Sequence, residues 1–168
     1  MQLTRYTDYA MRVLLHVGAR DEGDLSSIQE IADVYGVSKD HLKKVAQDLG
    51  QAGLLITIRG RNGGLRLGRP ASDITIGQIV RHTESGFTLV DCSSCIIESA
   101  CTLPRILNEA TRAFLAVLDK YTLDDVLKRR TDLRGLFDRS APLKDVIQSV
   151  AEDDGHSNSR NDPGQRPE

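Results

Sequence analysis

Apolar residues recur at helical spacing through the first fifty positions and predict three short helices. In RYTDYAMRVLLHVGAR the apolar side chains return every three or four residues, which indicates a first helix. Ser27 and Glu30 have the spacing of a capping box at the start of a second helix, SIQEIADVYG. We expect Ser38 to cap a third helix, KDHLKKVAQDLGQAG, which stops at Gly53.

The second and third helices, with the short break between them, predict a helix-turn-helix. Ala32 is small where the helices would cross, Gly36 can adopt the positive φ of a sharp turn, and Val37 can hold the turn against the core. A plain helical hairpin is the alternative for this segment taken alone. The third helix fits the major groove of DNA, with its polar side chains turned outward. Its candidate DNA-binding residues are Ser38, Lys39, His41, Lys43 and Lys44.

A β-rich run from Leu54 to Ile58, a turn rich in Gly, Asn and Arg, and the short strand LRL predict a β-hairpin. A basic hairpin that follows a helix-turn-helix is the wing of a winged helix. Such a wing would contact the neighbouring DNA backbone or minor groove, where arginine is favoured. Its candidate DNA-binding residues are Arg59, Arg61, Asn62 and Arg66.

Two further helices are predicted beyond the wing. Thr75 and Gln78 form a second capping box, and an apolar stripe from Leu103 to Tyr121 predicts a long amphipathic helix. That helix needs an apolar partner, either its own domain or a twin helix from a second subunit. We expect a mainly α fold. Its predicted segments are a winged helix-turn-helix over 1–84, a cysteine loop over 85–102, a dimerisation helix and a short following helix over 103–130, and a weakly structured to disordered tail over 131–168.

The charge distribution agrees with a localised polyanion contact. The chain of 168 residues has a formal net charge of −2, yet the segment from Ser38 to Pro70 carries seven basic and only two acidic residues. A solvated charged face is the alternative. No apolar run reaches the length of a membrane span, and the first residues lack the apolar core of a signal peptide. We expect a cytoplasmic protein with reduced thiols.

All three cysteines lie within DCSSCIIESAC, with the spacing Cys92-x2-Cys95-x5-Cys101. Three thiolates in a loop between helices suit a soft metal, either zinc or an iron–sulfur cluster. Buried structural cysteines, or a disulfide with a spare redox-active thiol, are the alternatives. A fourth metal ligand would have to be a residue other than cysteine, distant in sequence.

Catalysis is not expected from this sequence. The histidines in the first 85 residues have no evident nucleophile or paired carboxylate at a useful spacing, and the chain has neither a P-loop nor a G-x-S-x-G motif. His16, between Leu15 and Val17, is expected to pack inside the first helix. The protein is therefore predicted not to be an enzyme.

Several separate motifs resemble the Rrf2 superfamily of bacterial winged-helix regulators, and most closely its nitric-oxide-sensing NsrR branch. The motifs are YTDYAMRVLLHV, IADVYGVSKDHLKKV, RGRNGGLRLGRP, LVDCSSC and ACTLPRIL. The resemblance extends over residues 1–128. The resemblance implies a homodimer with one iron–sulfur cluster per subunit, [2Fe–2S] or [4Fe–4S], bound by Cys92, Cys95 and Cys101. In some members of the family, an aspartate from the first helix of the partner subunit is the fourth ligand. The resemblance implies the same role here for Asp8, which is the matching residue.

Two departures from the family pattern bear on this expectation. Family loops often have a wider gap between the first two cysteines, and the cluster-biogenesis branch has a His shortly after the third, where this chain has Thr102. The working hypothesis is a repressor in which nitric oxide attacks the cluster, DNA is released and nitric oxide detoxification genes are transcribed. Repressors that sense iron–sulfur or redox status, and a zinc or thiol adaptor that binds protein, are the alternatives.

Overall fold

The structure is a computed structural model that describes residues 2–21 and 23–140. It is mainly helical with one small antiparallel sheet, which confirms the predicted mainly α fold. The helices are α1 (Arg5–Ala19), α2 (Ile28–Tyr35), α3 (Lys39–Gln51), α4 (Ile76–Thr83), α5 (Leu103–Leu118), α6 (Leu123–Val126) and α7 (Arg130–Ser140). The strands are β1 (Leu55–Ile58) and β2 (Gly64–Leu67). No helix among the described residues is long and apolar enough to cross a bilayer.

Helix α1 is the centre of the core. Its apolar stripe, including Ala10, Val13 and Leu14, is fully buried, and the helix contacts α3, α4, α6, α7 and β2. The side chain of Thr4 accepts a hydrogen bond from the backbone N–H of Thr7 and so begins the helix. Because elements from both halves of the described chain pack on α1, this helix is well placed to couple distant parts of the chain.

The helix-turn-helix forms with the predicted turn chemistry. Gly36 ends α2 at φ 61°, in the left-handed region that favours glycine, and Val37 packs against the core. The capping box between Ser27 and Glu30 is present. Ser38 occupies the N-cap position of α3, but its side chain makes no capping hydrogen bond, so the predicted cap is wrong in its chemistry. The hydroxyl of Ser38 is exposed and remains available to another partner.

The wing is a regular hairpin anchored at its base. Strands β1 and β2 pair with Leu55 opposite Leu67 and Ile58 opposite Gly64. A Cβ atom on Gly63 would lie 2.2 Å from the carbonyl oxygen of Ile58, so only glycine fits this tight turn. Both backbone groups of Leu65 hydrogen-bond those of Ser26 in the loop before α2, which joins the wing to the helix-turn-helix.

Helix α5 leaves the core, and the chain then returns to it through α6. Among the residues of α5, only Thr111 is buried. The predicted capping box of Thr75 and Gln78 starts α4, and a further one, between Thr122 and Asp125, starts α6. The predicted apolar stripe continues to Tyr121, but the helix itself ends at Leu118.

The expectation of a weakly structured segment from residue 131 is wrong for α7. Phe137 of this helix is buried, stacked on His16 with ring centroids 4.5 Å apart. Arg134 donates hydrogen bonds to Asp21 and to the carbonyl oxygen of Ala19. Leu133 also packs against the core, but the apolar residues of α7 are too few for their spacing to predict a helix. The rest of the predicted tail, 141–168, lies outside the described residues.

Candidate nucleic-acid interface and cysteine loop

The candidate DNA-binding residues occupy α3 and the wing, and every one of them is exposed. Helix α3 buries Leu42, Val45 and Leu49 against the core, which turns its polar positions outward. The turn of the wing holds its charged tip away from the core. The exposed set comprises Ser38, Lys39, His41, Lys43, Lys44, Arg59, Arg61, Asn62 and Arg66.

Most of the cations on this surface are free to meet an anion. Lys43 is the exception, because its Nζ lies 2.9 Å from Oδ1 of Asp40, and this contact holds the pKa of Asp40 below its usual range. The ring of His41 stacks on that of Tyr9 with centroids 6.3 Å apart. The remaining cations form no ion pair with any residue in 2–21 or 23–140: Lys39, Lys44, Arg59, Arg61 and Arg66.

The cysteine loop, residues 84–102, connects α4 to α5 with little regular structure of its own. Asp91 accepts hydrogen bonds from the backbone N–H and the hydroxyl of Ser93, at 3.0 and 2.7 Å. The N–H of Cys95 bonds the carbonyl oxygen of Cys92 at 3.1 Å, and a 3-10 turn precedes Cys101. The loop is therefore a series of tight turns held by local contacts.

All three thiols are free in this loop. Cys95 is exposed, and the other two are half-buried. Partial burial, together with the neighbouring groups Cys95, Cys101, Glu98 and Asp91, raises the pKa of Cys92. Negative charge on several of these thiols at once is therefore unfavourable. A bound metal would supply the positive charge that offsets it.

The donor chemistry fits a soft metal, but the chain alone does not assemble a finished site. Among the described residues, no group of three or more His, Cys, Asp or Glu side chains is close enough to hold a metal ion. Asp8 lies on the exposed side of α1, where Arg12 pairs with it at 2.9 Å. Within one chain, therefore, the structure does not bring Asp8 together with the cysteines.

The start of the cysteine loop is tied to the first turn of α1 by a cluster that the sequence does not predict. Oε1 of Glu84 accepts hydrogen bonds from the backbone N–H and hydroxyl of Thr4, at 2.8 and 3.0 Å, and from the hydroxyl of Thr7. Thr7 also bonds Thr83. Partial burial favours the neutral carboxyl, yet these hydrogen bonds hold the pKa of Glu84 below its usual range.

A second polar cluster joins α1, α3 and α4. Oδ2 of Asp48 accepts a hydrogen bond from the hydroxyl of Tyr6 at 2.9 Å, and Nε2 of His82 lies 3.0 Å from the same oxygen. Burial, with the hydrogen bond to Asp48, raises the pKa of Tyr6 to about 12. The partners in these two clusters are 34 to 80 residues apart, so no local sequence signal could have found them.

Comparisons with known proteins place this architecture among transcriptional regulators. The sequence model of one family, described as "Rrf2: Iron-dependent Transcriptional regulator", matches residues 3–129. The HTH-type transcriptional regulator NsrR of Bacillus subtilis is 50% identical over 142 residues, which cover 82% of this chain and 97% of that protein. The NsrR of Geobacillus kaustophilus is 48% identical with the same coverage. The solved structure of T. potens IscR has a TM-score of 0.64, with 26% identity over 77% of this chain and 88% of the other.

Proposed function

Because this chain belongs to the Rrf2 family of transcriptional regulators, we propose that it is a homodimeric repressor whose cysteine loop carries an iron–sulfur cluster that senses nitric oxide. The family assignment confirms the resemblance found in the sequence. It also confirms the predictions that the protein is a DNA-binding regulator and that it is not an enzyme. We place the protein in the bacterial cytoplasm, with its operator. Reaction of the cluster with nitric oxide would release that operator and allow transcription of nitric oxide detoxification genes.

The surface of α3 and the wing is the proposed DNA-binding site. Exposed cations without ion-pair partners, such as Lys44, Arg59 and Arg61, are suited to phosphate contacts. Ser38 and Lys39 at the start of α3 are placed where a recognition helix meets base edges. The free hydroxyl of Ser38, which makes no capping hydrogen bond, supports this role.

A second copy of the chain is the proposed partner of α5. The apolar side chains Leu103, Ile106 and Val117 are 49, 52 and 50% exposed, although they lie on one stripe of a 16-residue helix. An amphipathic helix without an apolar partner is unfavourable in water. Pairing of two α5 helices would cover this stripe and present two winged helices to half-sites about 34–36 Å apart, or a multiple of that spacing.

The proposed cluster ligands are Cys92, Cys95 and Cys101, with Asp8 of the second copy as the fourth. Three free thiols in an exposed loop, and the raised pKa of Cys92, support a site that becomes favourable when positive metal charge enters it. When bound, the cluster supplies the iron with which nitric oxide reacts. The carboxylate of Asp8 pairs with Arg12 at the exposed surface of α1, where a second chain can reach it.

The single observation that carries the proposal is the position of the cysteine loop between the DNA-binding and dimer-forming parts of the chain. At one end, Glu84 is bonded to Thr4 and Thr7 of the α1 N-terminus. At the other end, Cys101 lies two residues before α5 begins. A change in the conformation of this loop would therefore act directly on α1. From α1 it would reach α3, the proposed DNA-binding helix, through the hydrogen bond between Tyr6 and Asp48.

Operator binding by the anaerobically purified protein tests this function. We expect nanomolar-range affinity for its operator before exposure to nitric oxide and an affinity at least about a hundredfold weaker afterwards, approaching non-specific binding. Oxygen and an iron chelator, applied separately, are the comparison arms. A response to those two and none to nitric oxide would identify a sensor of redox or iron–sulfur status instead. A colourless zinc protein that ignores all three agents would contradict the proposal.

A further inference from the structure

An arginine-lined cavity of about 530 Å³ lies beside the base of the wing. Its walls are the end of α1, the loop before α2, the segment that leaves β2 and the first residue of α7. None of its described lining residues comes from α3, from the wing tip or from the cysteine loop. The basic residues that line it are Arg20, Arg66, Arg69 and Arg130.

The carboxylates beside this cavity do not neutralise it. Asp21 and Asp24 are its acidic lining residues. Both oxygens of Asp21 are already bound by the guanidinium of Arg134 on α7, at 2.6 and 2.7 Å. Asp24 forms no ion pair with any residue that the structure describes. The positive groups of the lining therefore outnumber the available negative groups.

Two of the four arginines have no carboxylate partner. Arg130 pairs with Asp124 at 2.6 Å, and Arg20 pairs with Glu30. Arg66, in contrast, makes no ion pair within the described chain, and Arg69 contacts only an amide oxygen, at 3.4 Å. Even with the unpaired carboxylate of Asp24 counted against them, these two guanidinium groups leave the cavity with a net positive charge, which favours an anion.

Buried donors at the same cavity also lack partners. The Nε atoms of Arg20 and Arg69 are inaccessible to solvent and have no hydrogen-bond acceptor. Buried polar groups in folded proteins are nearly always paired, so the guanidinium groups of these two lining arginines are incompletely satisfied by the described residues. Oxygen atoms of a bound ligand would supply acceptors at this cavity.

We propose that this cavity binds a small phosphorylated metabolite. The planar guanidinium fork matches the oxygens of a phosphate group, and the volume lies within the usual range for small-molecule sites. Arg66 belongs both to this cavity and to the DNA-binding surface. A bound metabolite therefore withdraws one arginine from DNA and makes operator affinity dependent on a second signal, separate from the cysteine loop.

Calorimetric titration of pyrophosphate into the full-length protein, at constant ionic strength and without DNA, tests the proposal. We expect saturable binding of one pyrophosphate per chain. Arg69→Gln should weaken it by at least about tenfold, the effect of losing one charged hydrogen bond. Arg66→Gln should also weaken it. Arg139→Gln, which removes an exposed arginine of α7 outside the cavity, should leave the affinity unchanged.

Binding that fails to saturate, or that is equal in all three variants, would overturn the proposal in favour of diffuse charge attraction. If pyrophosphate does not bind while Arg69→Gln reduces the salt dependence of operator binding, the cavity holds a DNA phosphate, which also overturns it. Thermal melts establish that the variants are folded. Should Arg69→Gln not fold, the exposed Arg66 provides the deciding variant. Since the titration contains no DNA, its failure is distinct from failure of the repressor function.

Discussion

Single residues on the α3 surface differ in how readily they can meet a phosphate. Lys43 is held by Asp40 at 2.9 Å, whereas Lys44, one position along, makes no ion pair with the described residues. A DNA phosphate has to compete with Asp40 for the first of these lysines and with water alone for the second. Lys44 is therefore the cleaner reporter of a non-specific backbone contact.

We expect Lys44→Ala to weaken binding to operator and to unrelated DNA by similar factors. It should also reduce the slope of log affinity against log salt by about one unit, because one phosphate contact is lost. Fluorescence anisotropy at several salt concentrations measures this slope. Lys128→Ala is the matched control, since Lys128 is exposed, lies outside the proposed surface and pairs with Asp125. Equal slopes for the two variants would remove Lys44 from the DNA interface.

His16 is a fully buried histidine whose titration affects stability. Its Nε2 lies 3.1 Å from Oε1 of Glu30, and its Nδ1 has no hydrogen-bond partner. Burial, and next the charge of Arg20, lower its pKa to about 4, against an opposing effect of Asp138. The structure thus confirms that this histidine is packed in the core.

The free energy of unfolding should fall as the pH drops from 6.5 towards 4. In this range the unfolded chain takes up a proton on His16 while the folded chain does not, so acid favours unfolding. The expected loss between pH 7 and pH 5 is about 2 kcal/mol. Chemical denaturation at both pH values measures it. His16→Gln, which cannot titrate, should lose much less stability over this interval, and an equal loss in both proteins would show that another group is responsible.

At the scale of elements, contacts within a few residues were predictable and contacts across the chain were not. The capping boxes of α2 and α4 follow from side chains three positions apart, and the left-handed turn follows from the glycine at position 36. Ser38 failed as a cap because residue type does not determine whether a hydroxyl turns towards the helix. Helix α7 was missed because its stability comes from tertiary contacts of Phe137 and Arg134.

The same distinction applies to the candidate site. The three cysteines were evident from spacing, and the basic surface from composition. The bond from Glu84 to Thr4, which connects the loop to α1, spans 80 residues and has no local pattern. Sequence therefore predicts the chemical groups of the proposed sensor, whereas the contacts that join the cysteine loop to α3 are visible only in the fold.

One side-chain bridge joins α4 to the end of α5. Both oxygens of Asp119 accept hydrogen bonds from the guanidinium of Arg81, at 2.5 and 2.6 Å. This carboxylate passes so close to α4 that a Cβ on Gly77 would lie 2.0 Å from its Oδ1. Glycine at position 77 thus makes the bridge possible.

Asp119→Asn and Gly77→Ala should each weaken operator binding by roughly tenfold, since in the proposed dimer a small tilt of α5 changes the distance between the two winged helices. Circular dichroism should show unchanged helix content. Asp132→Asn is the matched control because it breaks an exposed ion pair, Arg129 to Asp132, that joins only neighbouring residues. Wild-type affinity in both test variants would show that the bridge does not set the orientation of α5.

At the scale of the whole molecule, a single chain leaves its longest helix largely uncovered. We expect Ile106→Asp, at a 52% exposed position on the apolar stripe of α5, to convert the protein to a monomer and to abolish tight operator binding. Sedimentation equilibrium measures the mass. Asn108→Asp adds the same charge at an exposed position on another side of α5 and should remain dimeric. A monomeric wild-type protein, or a dimeric Ile106→Asp variant, would contradict this arrangement.

The most direct test of the central claim is an anaerobic nitric oxide titration in which cluster absorbance and operator anisotropy are recorded on the same sample. We expect visible absorbance changes and DNA release to advance together and to reach their end points at the same ratio of nitric oxide to protein. Cys95→Ser, prepared in the same way, should lack both the absorbance and the response. Release of DNA without a change in absorbance, or loss of absorbance while DNA stays bound, would contradict a cluster in the cysteine loop that controls the repressor.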